Sequence, residues 1–171
     1  KKNEKINVFT GANIEKIEGF IGNYKTTVKT KGGENQFEHG VVIVATGAYE
    51  LETKEYLYGQ SDRVVSQREL EKMIAEKDAK VAGAGRVVMI QCVGSRNDER
   101  PYCSRYCCSE AIKNALKLKE ADPNKDITVI YRDVRTYGLK EDYYKKAREL
   151  NVKFVRYDEN RKPEVSTDGT K

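Results

Sequence analysis

The chain has 171 residues, 35% of them charged, with a net charge of +5, a pI near 8.9 and a mean hydropathy of −0.76. That is enough chain to bury one core or two small ones, and no apolar run approaches the roughly 20 residues of a membrane span. The positive balance does not mark a nucleic-acid binder, because Lys/Arg and Asp/Glu alternate through most segments, the pattern of solvated faces.

The opening KKNEKINVFT carries no apolar signal core and no transit-peptide character, and it reads as a cut through a larger polypeptide; the turn-like STDGTK at the other end reads the same way. Residues 6 to 45 have β character. Ile14 to Ile17 and Tyr24 to Thr30 favour strands around the turn former Gly22-Asn23. Lys31-Gly32-Gly33 makes a tight hairpin, and Asn35 to Glu38 returns, which predicts a three-stranded meander. His39-Gly40 then turns into Val41 to Ala45, a continuous apolar run suited to a strand buried on both faces. His39 is the only histidine and reads as a turn residue.

Residues 49 to 65 are irregular and tyrosine-rich, the pattern of a linker. Ser66 is placed to cap a helix over Gln67 to Ala75, with Glu69 completing a capping box and Leu70, Met73 and Ile74 at helical spacing. Ala79 to Gly85 is small and flexible, and it precedes a strand where a phosphate loop would follow one, so it reads as a linker. From Arg86 the pattern alternates. Strands are predicted at Val87 to Gln91, Ile127 to Tyr131 and Val152 to Val155, with helices from about Ser104 to Glu120 and from Asp142 to Leu150. This order predicts an α/β fold with a Rossmann-like parallel sheet.

All four cysteines lie between Cys92 and Cys108, spaced C-x10-C-x3-C-C, where a strand hands over to a helix. Zinc knuckles are normally CxxC pairs, and none exists here. A disulfide between adjacent Cys107 and Cys108 needs a strained ring. Four thiolates are the usual complement of a [4Fe–4S] cluster. Cys103 and Cys107, four apart, are expected on one face of a helical turn, with Cys108 beside them and Cys92 closing the fourth corner. Arg96, Arg100, Arg105 and a helix N-terminus supply positive potential for an anionic centre. A zinc or interaction module and a thiol-exchange enzyme using Cys107 and Cys108 remain as rival readings. No residue reads as an acid–base catalyst.

The string I-Q-C-V-G-S-R-N-D…P-Y-C-S-R-Y-C-C-S-E-A-I-K resembles the signature of the heterodisulfide reductase A-subunit family. Tyr131 to Gly138 and Tyr143 to Arg148 are similar to that family too. The resemblance implies an internal piece of a thioredoxin-reductase-like flavoprotein that binds FAD and a [4Fe–4S] cluster, with Cys92, Cys103, Cys107 and Cys108 as metal ligands. It implies a cytoplasmic complex with other heterodisulfide reductase subunits, ferredoxin and an electron-donating hydrogenase or dehydrogenase. In methanogens that complex couples CoM–CoB heterodisulfide reduction to ferredoxin reduction by flavin-based electron bifurcation.

In the same resemblance Val41 to Gly47 is similar to the ATG segment of two-dinucleotide flavoproteins, which makes Ala45, Thr46 and Gly47 candidate FAD contacts. The implied organisation is the end of an incomplete FAD-binding half-domain with its β-meander over residues 1–50, a linker with a short helix over 51–79, and a nicotinamide-domain-like Rossmann unit over 80–171. Gly94-Ser95-Arg96 stands where GxGxxG would be, so the cysteine loop replaces the phosphate loop. Arg132 and Arg135 resemble places that hold a phosphate but read more simply as solvated strand-end charges. The segment alone is expected neither to hold FAD tightly nor to turn over.

Overall fold

The structure is a computed structural model describing residues 3–167, so the last part of the turn expected at 166–171 lies outside the described residues. The chain divides into two compact units, Lys1–Tyr49 and Glu50–Lys171.

The first unit is the meander. β1 (Asn13–Phe20), β2 (Asn23–Thr30) and β3 (Gly33–His39) form an antiparallel sheet in the order β1-β2-β3. Alternation sets Thr26 opposite Ile17 and Phe37, and Val28, the buried apolar residue of this sheet, opposite Ile14 and Asn35. Near the end of β1, opposite Tyr24 of β2, the chain requires Gly19, whose φ is +100° and where an added Cβ would collide with the Asn23 carbonyl oxygen. His39 is tied into the sheet: Nε2 lies 2.6 Å from Thr26 Oγ1 and Nδ1 lies 2.8 Å from the Val41 carbonyl oxygen.

One expectation fails here. Val41 to Ala45 forms no strand among the described residues, and Val41 and Ile43 are 65% and 85% exposed. A strand buried on both faces exists only between ladder neighbours and covering layers. Neither sheet pairs with this run, so its apolar, β-branched character has nothing to act on.

The second unit holds the parallel sheet. β4 (Arg86–Ile90), β5 (Asp126–Tyr131) and β6 (Lys153–Arg156) pair in the order β4-β5-β6. The crossover helices are those that the periodicity predicts, and the architecture is Rossmann-like. In chain order, α1 (Gln67–Ala75) and α2 (Ala79–Gly83) precede the sheet, α3 (Cys107–Ala121) joins β4 to β5, and α4 (Glu141–Glu149) joins β5 to β6. The core gathers Leu70 of α1, Met89 of β4, Ile112 and Leu118 of α3, and Ile127 and Val129 of β5. No helix among the described residues is long and apolar enough to cross a membrane.

The start of α1 follows the local chemistry closely. Ser66 Oγ accepts from the Glu69 N–H at 3.2 Å, and Glu69 Oε2 accepts from the Ser66 N–H at 2.6 Å, a complete capping box. Glu50 adds a second carboxylate, accepting from Ser66 Oγ at 2.9 Å and from the Arg68 N–H at 3.2 Å. Ser66→Ala is expected to cost about 1 kcal/mol of stability, read as a lower urea midpoint at unchanged slope. An unchanged midpoint would show that Glu50 and Glu69 carry the cap without the hydroxyl.

The expected linker at Ala79 to Gly85 contains a short helix. Asp78 Oδ1 accepts from the Lys80 N–H, and the Lys125 ammonium, which is 2% exposed, donates to the carbonyls of Val81, Ala82 and Ala84. A side chain some 40 residues away satisfies the helix C-terminus, a contact that local propensity cannot register.

Candidate metal centre

β4 ends at Ile90, and the chain leaves the sheet through a loop that returns as α3 at Cys107. Cys92, Arg96 and Arg105 all have positive φ, at 63°, 58° and 59°. Gly94 shares that conformation at +64°, and a Cβ there would stand 2.8 Å from Leu51 Cδ2. Left-handed residues of this kind cost energy and persist only where surrounding contacts hold them. Those contacts are present. The Gly94 N–H donates to Glu55 Oε1 at 3.1 Å, the Arg132 guanidinium donates to the Arg96 carbonyl at 2.6 Å, and Asn97 and Arg100 close a turn on each other.

Arg96 is the charged group committed to the sulfurs. Its Nη1 stands 3.9 Å from Cys92 Sγ while Nη2 donates to Asp133 Oδ2 at 2.7 Å, which aims the guanidinium. The same guanidinium holds the Asp133 carboxyl below the usual carboxylate range. Arg100 pairs instead with Glu99, and Arg105 contributes its backbone N–H, 3.3 Å from Cys103 Sγ.

All four cysteines are free thiols. Cys107 opens α3, whose N-cap Tyr106 makes no side-chain cap hydrogen bond, so the first-turn N–H groups lack the usual side-chain acceptor. The Cys107 pKa falls to about 6, first because the Cys108 thiol donates to its sulfur, then through the Ser104 hydroxyl and the backbone N–H groups of Cys92 and Cys108, against the opposing effect of burial. Cys108 is pushed up by that same donation to Cys107 and by burial, and its Sγ also lies 3.5 Å from the Asp133 carbonyl oxygen. Burial raises Cys92 in spite of Arg96, and the charges of Cys107 and Cys103 raise it further. In the metal-free protein, Cys107 is therefore expected to be alkylated by iodoacetamide along a titration centred near pH 6, well below an ordinary thiol near ~8.5. Because folding lowers this pKa, the Cys107 thiolate favours the folded state fully above the unfolded value, and that contribution fades as pH falls through about 6. Mass-spectrometric alkylation rates that rise only above about pH 8 would contradict this environment.

The structure sets Cys107 and Cys108 side by side at the start of α3, brings the Cys92 backbone N–H to the Cys107 sulfur, and leaves Cys103 on the loop, felt by Cys92 as a charge. The expectation that Cys103 shares a helical face with Cys107 fails, because α3 begins at Cys107 and the left-handed Arg105 interrupts any helix through Cys103. Among the described residues no three or more His, Cys, Asp and Glu side chains stand together as a preformed metal site. The donor set fits a thiolate-bound centre chemically: four free thiols, one ionised near neutrality, with an arginine and an unblocked helix N-terminus as counter-charge.

Ala45, Thr46 and Gly47 are exposed in the first unit, and nothing lies within 4 Å of where a Gly47 Cβ would be. Beyond the strand ends a polar crevice of about 510 Å³ is lined by Arg96, Arg132, Asp133 and Arg156 among others. Arg132 pairs with Glu159 at 2.5 Å and Arg96 with Asp133, so these arginines serve the loop. Arg135 gives its backbone N–H to Cys108. Residues not singled out by sequence reasoning are Glu55, Asp133 and Tyr157, whose hydroxyl donates to the Gln91 carbonyl at 2.8 Å. Asp133 follows β5 at the carboxyl edge of a parallel sheet, where α/β folds place their sites, and that rule was the available signal.

No family model matches the chain. Curated relatives do match, over roughly three quarters of its length. The chain is 40% identical over 144 residues to the A-subunit of the H2/formate:CoB-CoM heterodisulfide,ferredoxin reductase of Methanococcus maripaludis, covering 74% of the chain and 22% of that protein. The chain belongs to the heterodisulfide reductase A-subunit family. It is also 39% identical over 144 residues to the iron-sulfur A-subunit of the CoB–CoM heterodisulfide reductase of Methanocaldococcus jannaschii, covering 74% of the chain and 22% of the relative. The A-subunit of the ferredoxin/F420H2-dependent CoB-CoM heterodisulfide reductase of Methanosarcina acetivorans is 38% identical over 142 residues, covering 74% and 18%. The chain spans about a fifth of the length of these heterodisulfide reductase relatives.

Proposed function

We propose that the cysteine loop holds a [4Fe–4S] cluster through Cys92, Cys103, Cys107 and Cys108 and serves as an electron relay within a heterodisulfide reductase. The observation that carries the reading is the placing of four free cysteines on one loop that ends at a helix N-terminus without a side-chain cap, with Cys107 ionised near neutrality. A relative named as an iron-sulfur subunit matches over 74% of the chain, which supports it. Bound there, the cluster supplies a site that takes up and releases one electron at a time. The chain's own residues bind and bias it: thiolates ligate, Arg96 offsets their negative charge, and Asp133 fixes Arg96.

In the full-length protein the same reading has FAD bound near Ala45, Thr46 and Gly47, with bifurcating electron transfer in a cytoplasmic complex. Its partners there are other heterodisulfide reductase subunits, ferredoxin and a hydrogenase or dehydrogenase. The 171-residue segment alone is inactive in this reading. Anaerobic reconstitution with ferrous iron and sulfide, followed by iron and sulfide analysis and EPR of the dithionite-reduced protein, tests it. Stoichiometric zinc with no iron uptake overturns it in favour of a structural zinc module.

A second reading is favoured by the ionised Cys107 beside the protonated Cys108, the state of a thiol-exchange nucleophile and its neighbour. Disulfide reductase activity retained in Cys92→Ser would support exchange, since cluster binding should not survive that change.

A further inference from the structure

Among the described residues two buried side-chain atoms lack a hydrogen-bond partner, Gln91 Nε2 and Ser109 Oγ. They bracket the cysteine loop: Gln91 directly precedes Cys92, and Ser109 directly follows Cys108. Gln91 is 2% exposed and sits at the end of β4. Strand alternation puts its side chain on the face of Met89, which packs in one cluster with Ala111, Ile112 and Ala115 of α3. Its main chain is fully used, the N–H donating to the Ile130 carbonyl at 2.9 Å and the carbonyl accepting from Tyr157. What remains is an amide NH2 group. The amide belongs to the residue at which the chain leaves the sheet for the cysteine loop, one position before Cys92. Ser109 belongs to the first turn of that helix, with Cys107 and Cys108.

Buried donors left unmade are costly, and in folded proteins nearly all are paired. Here the two exceptions fall on the two sides of the thiols, and thiolate and sulfide sulfur are hydrogen-bond acceptors. We propose that Gln91 Nε2 and Ser109 Oγ donate hydrogen bonds to sulfur atoms of the metal centre held by this loop. Donors to such sulfurs stabilise the more negative, reduced state, so the pair raises the reduction potential of the centre and tightens its retention. No proton or electron is transferred in this role. The inference rests on the cluster reading above and adds to it which residues outside the ligand set tune the group.

The test uses Gln91→Met, close in shape but without a donor, Ser109→Ala and the double variant, each in the 171-residue protein reconstituted anaerobically with ferrous iron and sulfide. In the metal-free protein the thermal midpoint should stay or rise, because an unpaired polar atom has been removed. In the loaded protein the EPR-monitored potential should move to more negative values in each variant, furthest in the double. Iron affinity should fall by about 10-fold. A potential unchanged in all three overturns the proposal, and together with a lowered metal-free midpoint it assigns the two atoms to bridging water. If Gln91→Met does not fold, Ser109→Ala decides alone. Cys92→Ser runs beside them: retained iron there, or no uptake by the unaltered protein, sinks the cluster reading itself. Iron lost in Cys92→Ser with potentials unmoved in the other variants sinks this inference alone.

Discussion

Cys107→Ser is expected to lose nearly all cluster iron after anaerobic reconstitution, against about four irons per chain in the unaltered protein. Cys107 is the hub of the sulfur group. The Cys108 thiol, the Ser104 hydroxyl and the Cys92 backbone N–H favour its charged form, so that its pKa falls to about 6. Cys92→Ser and Cys108→Ser should follow closely, since both residues stand within reach of Cys107 before any metal arrives. Cys103→Ser should retain the most iron of the four, because Cys103 lies on the loop ahead of α3 and joins last. Iron and acid-labile sulfide per chain, with the intensity of the reduced EPR signal, measure the series. Equal iron in the unaltered protein and Cys107→Ser would end the proposal that these thiols are ligands.

Ile127→Ala should destabilise the second unit by about 2–5 kcal/mol, a large part of the roughly 5–15 kcal/mol available to a typical domain. Ile127 is 0% exposed on β5, the central strand, and belongs to the same core cluster as Ile112 and Leu118 of α3 and Leu70 of α1. Removing three carbons there costs transfer energy and leaves a cavity that parallel strands on both sides cannot collapse to fill. Ile127→Val should cost only about 0.5–1.5 kcal/mol. Val88→Ala, at a position 53% exposed on β4, makes the control and should shift stability far less than Ile127→Ala. Urea unfolding measures all three. Similar losses for Ile127→Ala and Val88→Ala would mean that the core does not sit where the α3 side of the sheet places it.

The expectations that held were those whose physics is local. The capping box at Ser66 and Glu69, the meander turns and the alternation of strands and helices after Arg86 each depend on residues a few positions apart. The failures share a cause. Val41 to Ala45 has the composition of an inner strand, but a strand is made by its neighbours, and neither sheet supplies them among the described residues. Ala79 to Gly83 is too small and flexible to read as a helix until Lys125, distant in sequence, satisfies its last carbonyls.

By itself the sequence determined the chemistry of the site, four thiols at a strand-to-helix junction, because residue type and spacing alone fix which ligands a loop can offer. Only the tertiary structure decided how unequal those thiols are. The ionised state of Cys107, the aim of Arg96 from Asp133, and the unpaired amide of Gln91 arise from groups that β5, the segment after β6 and the turn of α3 bring together. Electrostatic and hydrogen-bond energies depend on distance in space, and no spacing along the chain encodes it.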